Sequence, residues 1–488
     1  MATPQPDRSA DSHPQTSYER PDPDRPSSAS PTEQELEAEM PSGSRTGGHD
    51  PYAALRLKDY RYYAAGWIIS VIGQQIQTVA VEWDIYTRTK AINHGLDPLL
   101  ALGLVGAVLA VPVIFLAIPA GMLADRFDRR KIIMFSMAGS AIASIGLACF
   151  SHQHASLGLM YGCLFFGAIA NAIGWPARSA LLPQIVPAEV FSNAATWNSS
   201  AFQVAAMVGP ALGGFIITKN VPTAYLADAL CAILFFVFLL PLAVQPVARS
   251  REPISFATLA AGIAFVKRTK IILAAITLDL FAVLFGGATA LMPAYAKDIL
   301  HVGAIGYGYL RAAPAIGALG MALWIAHRPP MKKAGRDLLW AVAGFGAATI
   351  VFGLSRNYPL SLLMLLITGA CDNVSVVVRH TLVQLLTPDA MRGRVSAVNN
   401  VFIGASNELG AFESGLVGRF FGAVVSVVSG GIGTLVVVGA VAAMWPQIRR
   451  FGSLEDARPD ESDLGQVSGA IEETGAALPE VRPGPTSL

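Results

Sequence analysis

The sequence predicts an all-α membrane protein of twelve transmembrane helices, arranged as two six-helix repeats. Three observations lead there. Of the 488 residues, 53% are apolar and only 14% charged, with a mean hydropathy of +0.48. Soluble domains carry about 25% charged residues. The apolar residues also gather into twelve runs, each long enough for a hydrocarbon core that needs roughly 20 residues to cross. Finally, residues recur at an interval of 201: Arg178 with Arg379, Pro187 with Pro388, Asn198 with Asn399, Gly209 with Gly410, and Gly214 with Gly415. Five pairs in one register make the halves copies. Two such bundles with a binding cavity between them are a transporter architecture.

The chain divides accordingly. Residues 1–55 are rich in Pro, Ser, Asp and Glu and bury too little apolar surface to order, so a disordered cytoplasmic tail is expected. The first bundle, 56–244, holds spans near 62–87, 99–124, 131–150, 157–184, 190–218 and 223–244. A linker, 245–270, follows, whose part from Phe256 to Lys270 reads as an amphipathic helix at the interface. The second bundle, 271–446, holds spans near 271–296, 303–327, 337–355, 359–386, 394–419 and 424–446. A polar tail, 447–488, is expected to be disordered and cytoplasmic. No signal peptide is expected, because the first long apolar run begins near Tyr62.

Lys and Arg set the orientation. Arg126, Arg129, Arg130 and Lys131, then Arg249 to Lys270, then Arg328, Lys332, Lys333 and Arg336, then Arg392 and Arg394 fall in alternate loops. The intervening loops hold only Arg88, Lys90, Lys219, Lys297 and Arg356. The first set is assigned to the cytoplasm, and an even number of spans puts both termini there. A net charge of +1 gives no basis for a nucleic-acid partner. The four cysteines lie inside apolar runs, without metal or disulfide spacing. No Walker loop, no G-x-S-x-G and no ligand cluster is present. An enzyme, a metal site and a cofactor are therefore not expected.

Charges inside spans cost at least a few kcal/mol in lipid, so they should face the bundle interior or a wet cavity. Span one offers Gln75, Thr78, Glu82 and Tyr86 on one face, with Gln74, Gln77 and Asp84 beside it. A cavity wall is one reading and a buried hydrogen-bond network the other. Span ten offers Asp372, Asn373 and Arg379; the acid and the arginine are two turns apart, so each needs a partner on another helix. Span eleven supplies Asn399, Asn400, Asn407, Glu408 and Glu413, and Asp279, Arg311 and Arg178 complete the set. A static network and a solute- or proton-coupling role both remain open. One proton moving down 100 mV releases about 2.3 kcal/mol, against about 1.4 kcal/mol for each tenfold solute gradient.

Two stretches suggest gating. Gly121-Met-Leu-Ala-Asp125-Arg126-Phe-Asp128-Arg129-Arg130-Lys131 packs six charges between two apolar spans. The repeat register sends Asp125 to Ala326, so only the first copy has the acid. Gly209-Pro210-Ala-Leu-Gly213-Gly214 in span five would let a helix pack closely and bend.

The Gly121–Lys131 stretch resembles the loop signature of the major facilitator superfamily, with Asp128 where that family usually has glycine. Gly209 to Gly214 resembles the antiporter signature of its drug:proton exporters, with Ala205 and Thr196 in place of upstream glycines. Pro176 to Pro183, Leu310 to Pro314 and Cys371 to Gly415 are similar to the bacterial subfamily that contains the enterobactin exporters. The resemblance covers residues 56 to 446. It implies the major facilitator fold, alternating access, and proton-coupled export of a small drug- or siderophore-like organic molecule across the bacterial inner membrane. It also implies that Asp125 braces the closed cytoplasmic side; the positive end of span eleven, near Gly393, is the physical candidate to receive it. The expected partners are that molecule, protons and the lipid bilayer, with the protein a monomer. An importer or facilitator of a small metabolite, and a non-transporting sensor on the same fold, are the alternatives.

Overall fold

The computed structural model describes residues 50–92, 95–242, 244, 256–329 and 331–453. Most of both expected tails, and linker residues 245–255, lie outside them. Twelve long helices follow one another: α1 (Lys58–Ile92), α2 (Pro98–Arg126), α3 (Arg129–His152), α4 (Leu157–Ile185), α5 (Phe191–Lys219), α6 (Val221–Leu239), α7 (Lys270–Phe285), α8 (Gly303–Ala326), α9 (Ala334–Leu354), α10 (Tyr358–Leu386), α11 (Asp389–Phe421) and α12 (Ala423–Met444). A shorter helix, Phe256–Arg268, precedes α7. Twelve passes bring both described chain ends to one side, here called the terminal end; the opposite side is the far end.

Local chemistry sets the boundaries. Asp97 starts α2 by accepting from Leu99 N at 2.8 Å, with Pro98 in the first turn. Asn357 does the same for α10, accepting from Leu360 N at 3.1 Å. Gly422, at φ 84°, makes the turn between α11 and α12 that a side chain would strain. Eleven stretches of the described residues are long and apolar enough to cross a membrane. The twelfth helix, α11, has the length but not the apolarity: Arg392, Arg394, Asn399, Asn400, Asn407, Glu408 and Glu413 lie along it. It packs against α2, α7, α12 and the helix Phe256–Arg268.

Two boundaries depart from expectation. The seventh run, 271–296, is not one helix. It stops at Phe285, before Gly286 and Gly287, and continues as a 3-10 turn (Gly287–Leu291), one helical turn (Met292–Ala294) and a π turn (Tyr295–Ile299). Tyr295 anchors this irregular stretch, stacking on Phe352 at 4.7 Å and donating to Gly353 O at 2.8 Å. The polar tail also does not leave at Gln447. Pro446–Arg450 forms another turn that buries Ile448, and Ala334 N donates to Gly452 O at 3.0 Å.

The halves meet along two seams, α2 with α11 and α5 with α8. The 201-residue register makes these seams equivalent. Small residues let them close. A methyl group on Gly415 would stand 2.4 Å from Gly103 Cα, and one on Gly214 would stand 2.6 Å from Ala304 O and 2.9 Å from Gly308 Cα. Gly214 and Gly415 are repeat partners, and so are Gly103 and Ala304.

The buried apolar side chains form three clusters. One joins both halves at the far end, with Val79, Ile85, Leu102 and Met160 from the first half and Tyr295, Leu310, Phe352 and Leu365 from the second. The others are private to one half at the terminal end: Tyr60, Ile133, Leu181 and Phe235 in the first, and Ile272, Leu338, Leu382 and Ile448 in the second. The halves thus share a core at the far end and keep separate cores at the terminal end.

Candidate functional site

The shared core holds a cluster of charges. Glu82 on α1 faces α8, and Arg311 Nη2 lies 3.1 Å from its Oε1. Tyr307, one turn before Arg311, donates its hydroxyl to Glu82 Oε2. Trp83 stacks on Tyr307 at 5.7 Å, and Arg311 Nη1 donates to Thr289 O at 3.1 Å in the irregular stretch after α7. Glu408 on α11 is close enough to interact electrostatically with both Glu82 and Arg311, yet it has no hydrogen-bond or ion-pair partner among the described residues. Two carboxylates therefore compete for one guanidinium at the junction of the halves.

A second rank lies farther out. The π turn presents Asp298 to α1, where Tyr86 donates to Oδ2 and Lys90 Nζ sits 2.6 Å from Oδ1. Lys297 lies over the Trp83 ring at 6.0 Å. Residues 82, 83, 86 and 90 follow helical spacing and form one face. The 35 residues of α1 span about 52 Å, well beyond a hydrocarbon core of about 30 Å, so Tyr86 and Lys90 reach its far surface.

The other polar residues of α1 serve the first half. Asp84 is about 200° round from Glu82 and points away from the seam. It accepts from Arg88 Nε at 2.6 Å, Ser151 Oγ at 2.7 Å and Tyr225 at 3.2 Å. Thr78 donates to Gln74 O of its own helix, and Gln74 donates to Asn171 at 2.8 Å. Gln75 packs on α5, where a methyl on Gly209 would meet its Cβ at 2.5 Å. Arg178 donates to Asn171 at 3.2 Å and Ser136 at 3.4 Å. The expected polar stripe therefore divides: Glu82 and Tyr86 reach the second half, while Gln75 and Thr78 do not.

In the second half, Arg379 pairs with Asp279 at 2.6 Å, both nearly inaccessible. Its partner comes from α7, and not from α11, where span eleven had offered candidates. Asp372 interacts with both, beside a cavity of about 10 Å³, room for about one water. Asn373 Nδ2 and Arg379 Nε have no partner among the described residues. The repeat register aligns Asp372 with Asn171 and Asp279 with Thr78, so the first-half copy has the arginine and neither acid.

On α11, Asn399 is buried, while Asn400 and Asn407 are exposed. The Asn407 amide donates to Ile403 O at 3.0 Å on its own helix, and among the described residues Glu413 meets only its neighbour Ser414, at 3.5 Å. The Gly121–Lys131 stretch is the end of α2 and the start of α3. Gly121 is buried in α2. Asp128, unexplained by the family pattern, caps α3 by accepting from Arg130 N at 2.9 Å. Arg129 donates to Ala180 O at 3.0 Å and Arg130 to Leu242 O at 2.9 Å. Asp125 and Arg126 have no side-chain partner among the described residues, and a methyl on Gly393 would meet nothing within 4 Å. Of the glycines in span five, Gly209 and Gly213 face α1, and Gly214 faces α8 beside Pro210, whose carbonyl would lie 2.6 Å from a methyl on Gly308.

Sequence reasoning missed Trp83 as a site residue, Tyr307, Asp298 and Asp228. The last is a buried acid on α6 that accepts from Ser144 Oγ at 2.6 Å, which in turn accepts from Gln77 at 2.7 Å. An acid in a span was the available signal for Asp228. Nothing in the sequence showed the π turn that delivers Asp298.

Residues 49–468 match the profile of the transmembrane secretion effectors. The enterobactin exporter EntS of Escherichia coli O1:K1 is 27% identical over 339 residues, covering 68% of this chain and 80% of its own. EntS of Shigella boydii serotype 18 matches equally. Among solved structures, the nucleoside transporter NupG superposes with a TM-score of 0.63 at 14% identity, over 79% of this chain and 99% of NupG. A bacterial homologue of the human lysosomal transporter Spinster, inward-facing and occupied, gives 0.63 at 16% identity, over 83% of this chain and 98% of that one.

Proposed function

The chain belongs to the transmembrane secretion effectors, transporters of the major facilitator superfamily, and from that premise we propose that it is a proton-coupled exporter of a small drug- or siderophore-like organic molecule. It is a multi-pass membrane protein. In this reading the terminal end faces the bacterial cytoplasm, supported by Arg126, Arg129, Arg130, Lys332 and Lys333 in its loops. The exporter similarity to EntS favours outward movement.

The observation that carries the reading is the Glu82–Arg311–Tyr307 contact across the seam, with Glu408 beside it. With the core shared at the far end and divided at the terminal end, the molecule is closed outside and parted inside. Solute entering from the cytoplasm engages the carboxylates of Glu82 and Glu408 and displaces Arg311 from Glu82. The far seam, close-packed at Gly214 and Gly415, then parts. A proton from outside neutralises a carboxylate and the solute leaves. Loss of that proton to the cytoplasm restores the Glu82–Arg311 pair. Solute and proton exclude one another at the same carboxylates, which makes the process an exchange. Asp125, which has no side-chain partner among the described residues, braces the terminal end in the opposite state.

Everted vesicles with an acidic interior test the reading, using a panel of catechol amides and lipophilic drugs. Uptake that a protonophore abolishes is expected. Uptake that persists without a gradient identifies a facilitator, and no flux for any compound favours a sensor.

A further inference from the structure

We propose that the first turns of α1, together with the end of α6, form a binding site for the headgroup of an anionic phospholipid in the terminal-side leaflet. The site is a cleft of about 420 Å³ lined by Lys58, Arg61, Tyr62, Ala65 and Phe238. The four α1 residues follow the spacing i, i+3, i+4, i+7, so they form one helical face. The cleft has a structural cause. At Gly66 the two helices touch, and a methyl there would stand 2.5 Å from the Phe235 ring and 3.0 Å from Phe238 Cβ. One turn nearer the terminal end the larger side chains prop them apart, with Tyr62 and Phe238 in ring contact at 6.2 Å.

The chemistry suits a lipid phosphate. Lys58 and Arg61 are exposed, and neither side chain has a hydrogen-bond or ion-pair partner among the described residues. The α6 carbonyls that would attract them are already taken, since Arg130 donates to Leu240 O and to Leu242 O. The positive end of α1 adds to the field. Below the cations lie aromatic and methyl groups, in the order of headgroup and acyl chain. The location matches, because α1 becomes apolar from Tyr62 onward. Basic pockets between transmembrane helices at this level take acidic headgroups.

The second half has no counterpart among the described residues. The 201-residue register takes Lys58 to Leu259 and Arg61 to Gly262. Gly262 is packed against α11, where a methyl would stand 2.8 Å from Arg394 O. The repeat closes this position in one copy and leaves it open and basic in the other.

The test is native mass spectrometry of the full chain released from micelles containing phosphatidylglycerol and phosphatidylethanolamine in equal amounts. The unmodified protein should retain phosphatidylglycerol preferentially. A K58Q/R61Q variant should lose roughly 25-fold of that preference, a factor of about five for each basic side chain at an anionic leaflet. Both positions are exposed, so a monodisperse elution profile should be unchanged. Four results would overturn the proposal, three of them in the retention assay itself. These are no preference in the unmodified protein, an unchanged preference in K58Q/R61Q, or an equal loss in K332Q/K333Q, basic residues at the same end of the other half. Displacement of the lipid by millimolar inorganic phosphate would also overturn it, by showing a free-anion site.

Discussion

Replacing Glu82 by Gln removes one charge from the junction while keeping shape and hydrogen-bonding capacity. The ion pair with Arg311 spans 3.1 Å, and the side chains are 12% and 21% exposed. At an effective dielectric constant of 20 the gross attraction is about 5 kcal/mol. Desolvation offsets much of this, and the glutamine still bonds to Tyr307. A net loss of about 2 kcal/mol remains, a shift of roughly 30-fold in the balance between far-closed and far-open states. Spin labels at His154 and Arg356, exposed at the far end of opposite halves, report that balance in a background without the four native cysteines. At neutral pH, E82Q should move the distance distribution toward long separations, and R311Q should do the same. An unchanged distribution in a folded E82Q protein would refute the claim that this pair holds the far end shut.

Gly415→Val places side-chain atoms against Gly103 Cα, so far-end closure and transport should fall about tenfold or more, with the spin-label distance shifted to match. Asp279→Asn strands the buried Arg379 and should destabilise the detergent-solubilised protein by about 3 kcal/mol, read as a lower Tm, whereas D279N/R379M should recover most of it. Asp84→Asn breaks the buried pair with Arg88 within the first half. It should lower Tm while leaving the pH dependence of transport per folded molecule unchanged. Asp125→Asn should reduce flux and shift the far-end distances toward short separations, because it removes the brace of the far-open state.

The fold followed from patterns that physics constrains tightly. Twelve apolar runs cannot rest in water, and five residue pairs at one interval require equivalent seams; Gly214 with Gly415 turned out to be those seams. Side-chain partnership was harder to read. Glu82 and Asp84 differ by two positions, yet one crosses between the halves and the other braces its own. Only the rotation of α1 against α8 and α6 decides which. Arg379 found Asp279, 100 residues earlier in the chain, because α7 and α10 are neighbours in space. The break after Phe285 is not legible in the sequence, since an apolar run looks the same whether it coils as an α-helix or as 3-10 and π turns. Asp298 owes its place to that break. Asp128 had looked like a departure from a family glycine, and its role as a helix cap was available in principle from an acid immediately before Arg129-Arg130.

The central claim is that solute and protons move in opposite directions through one cluster. Proteoliposomes loaded with a transported compound and a lumenal pH dye, then diluted into compound-free buffer, measure it directly. Outward solute flow should acidify the lumen, and E82Q should uncouple the two. Solute leaving at the same rate with no change in lumenal pH would contradict the account.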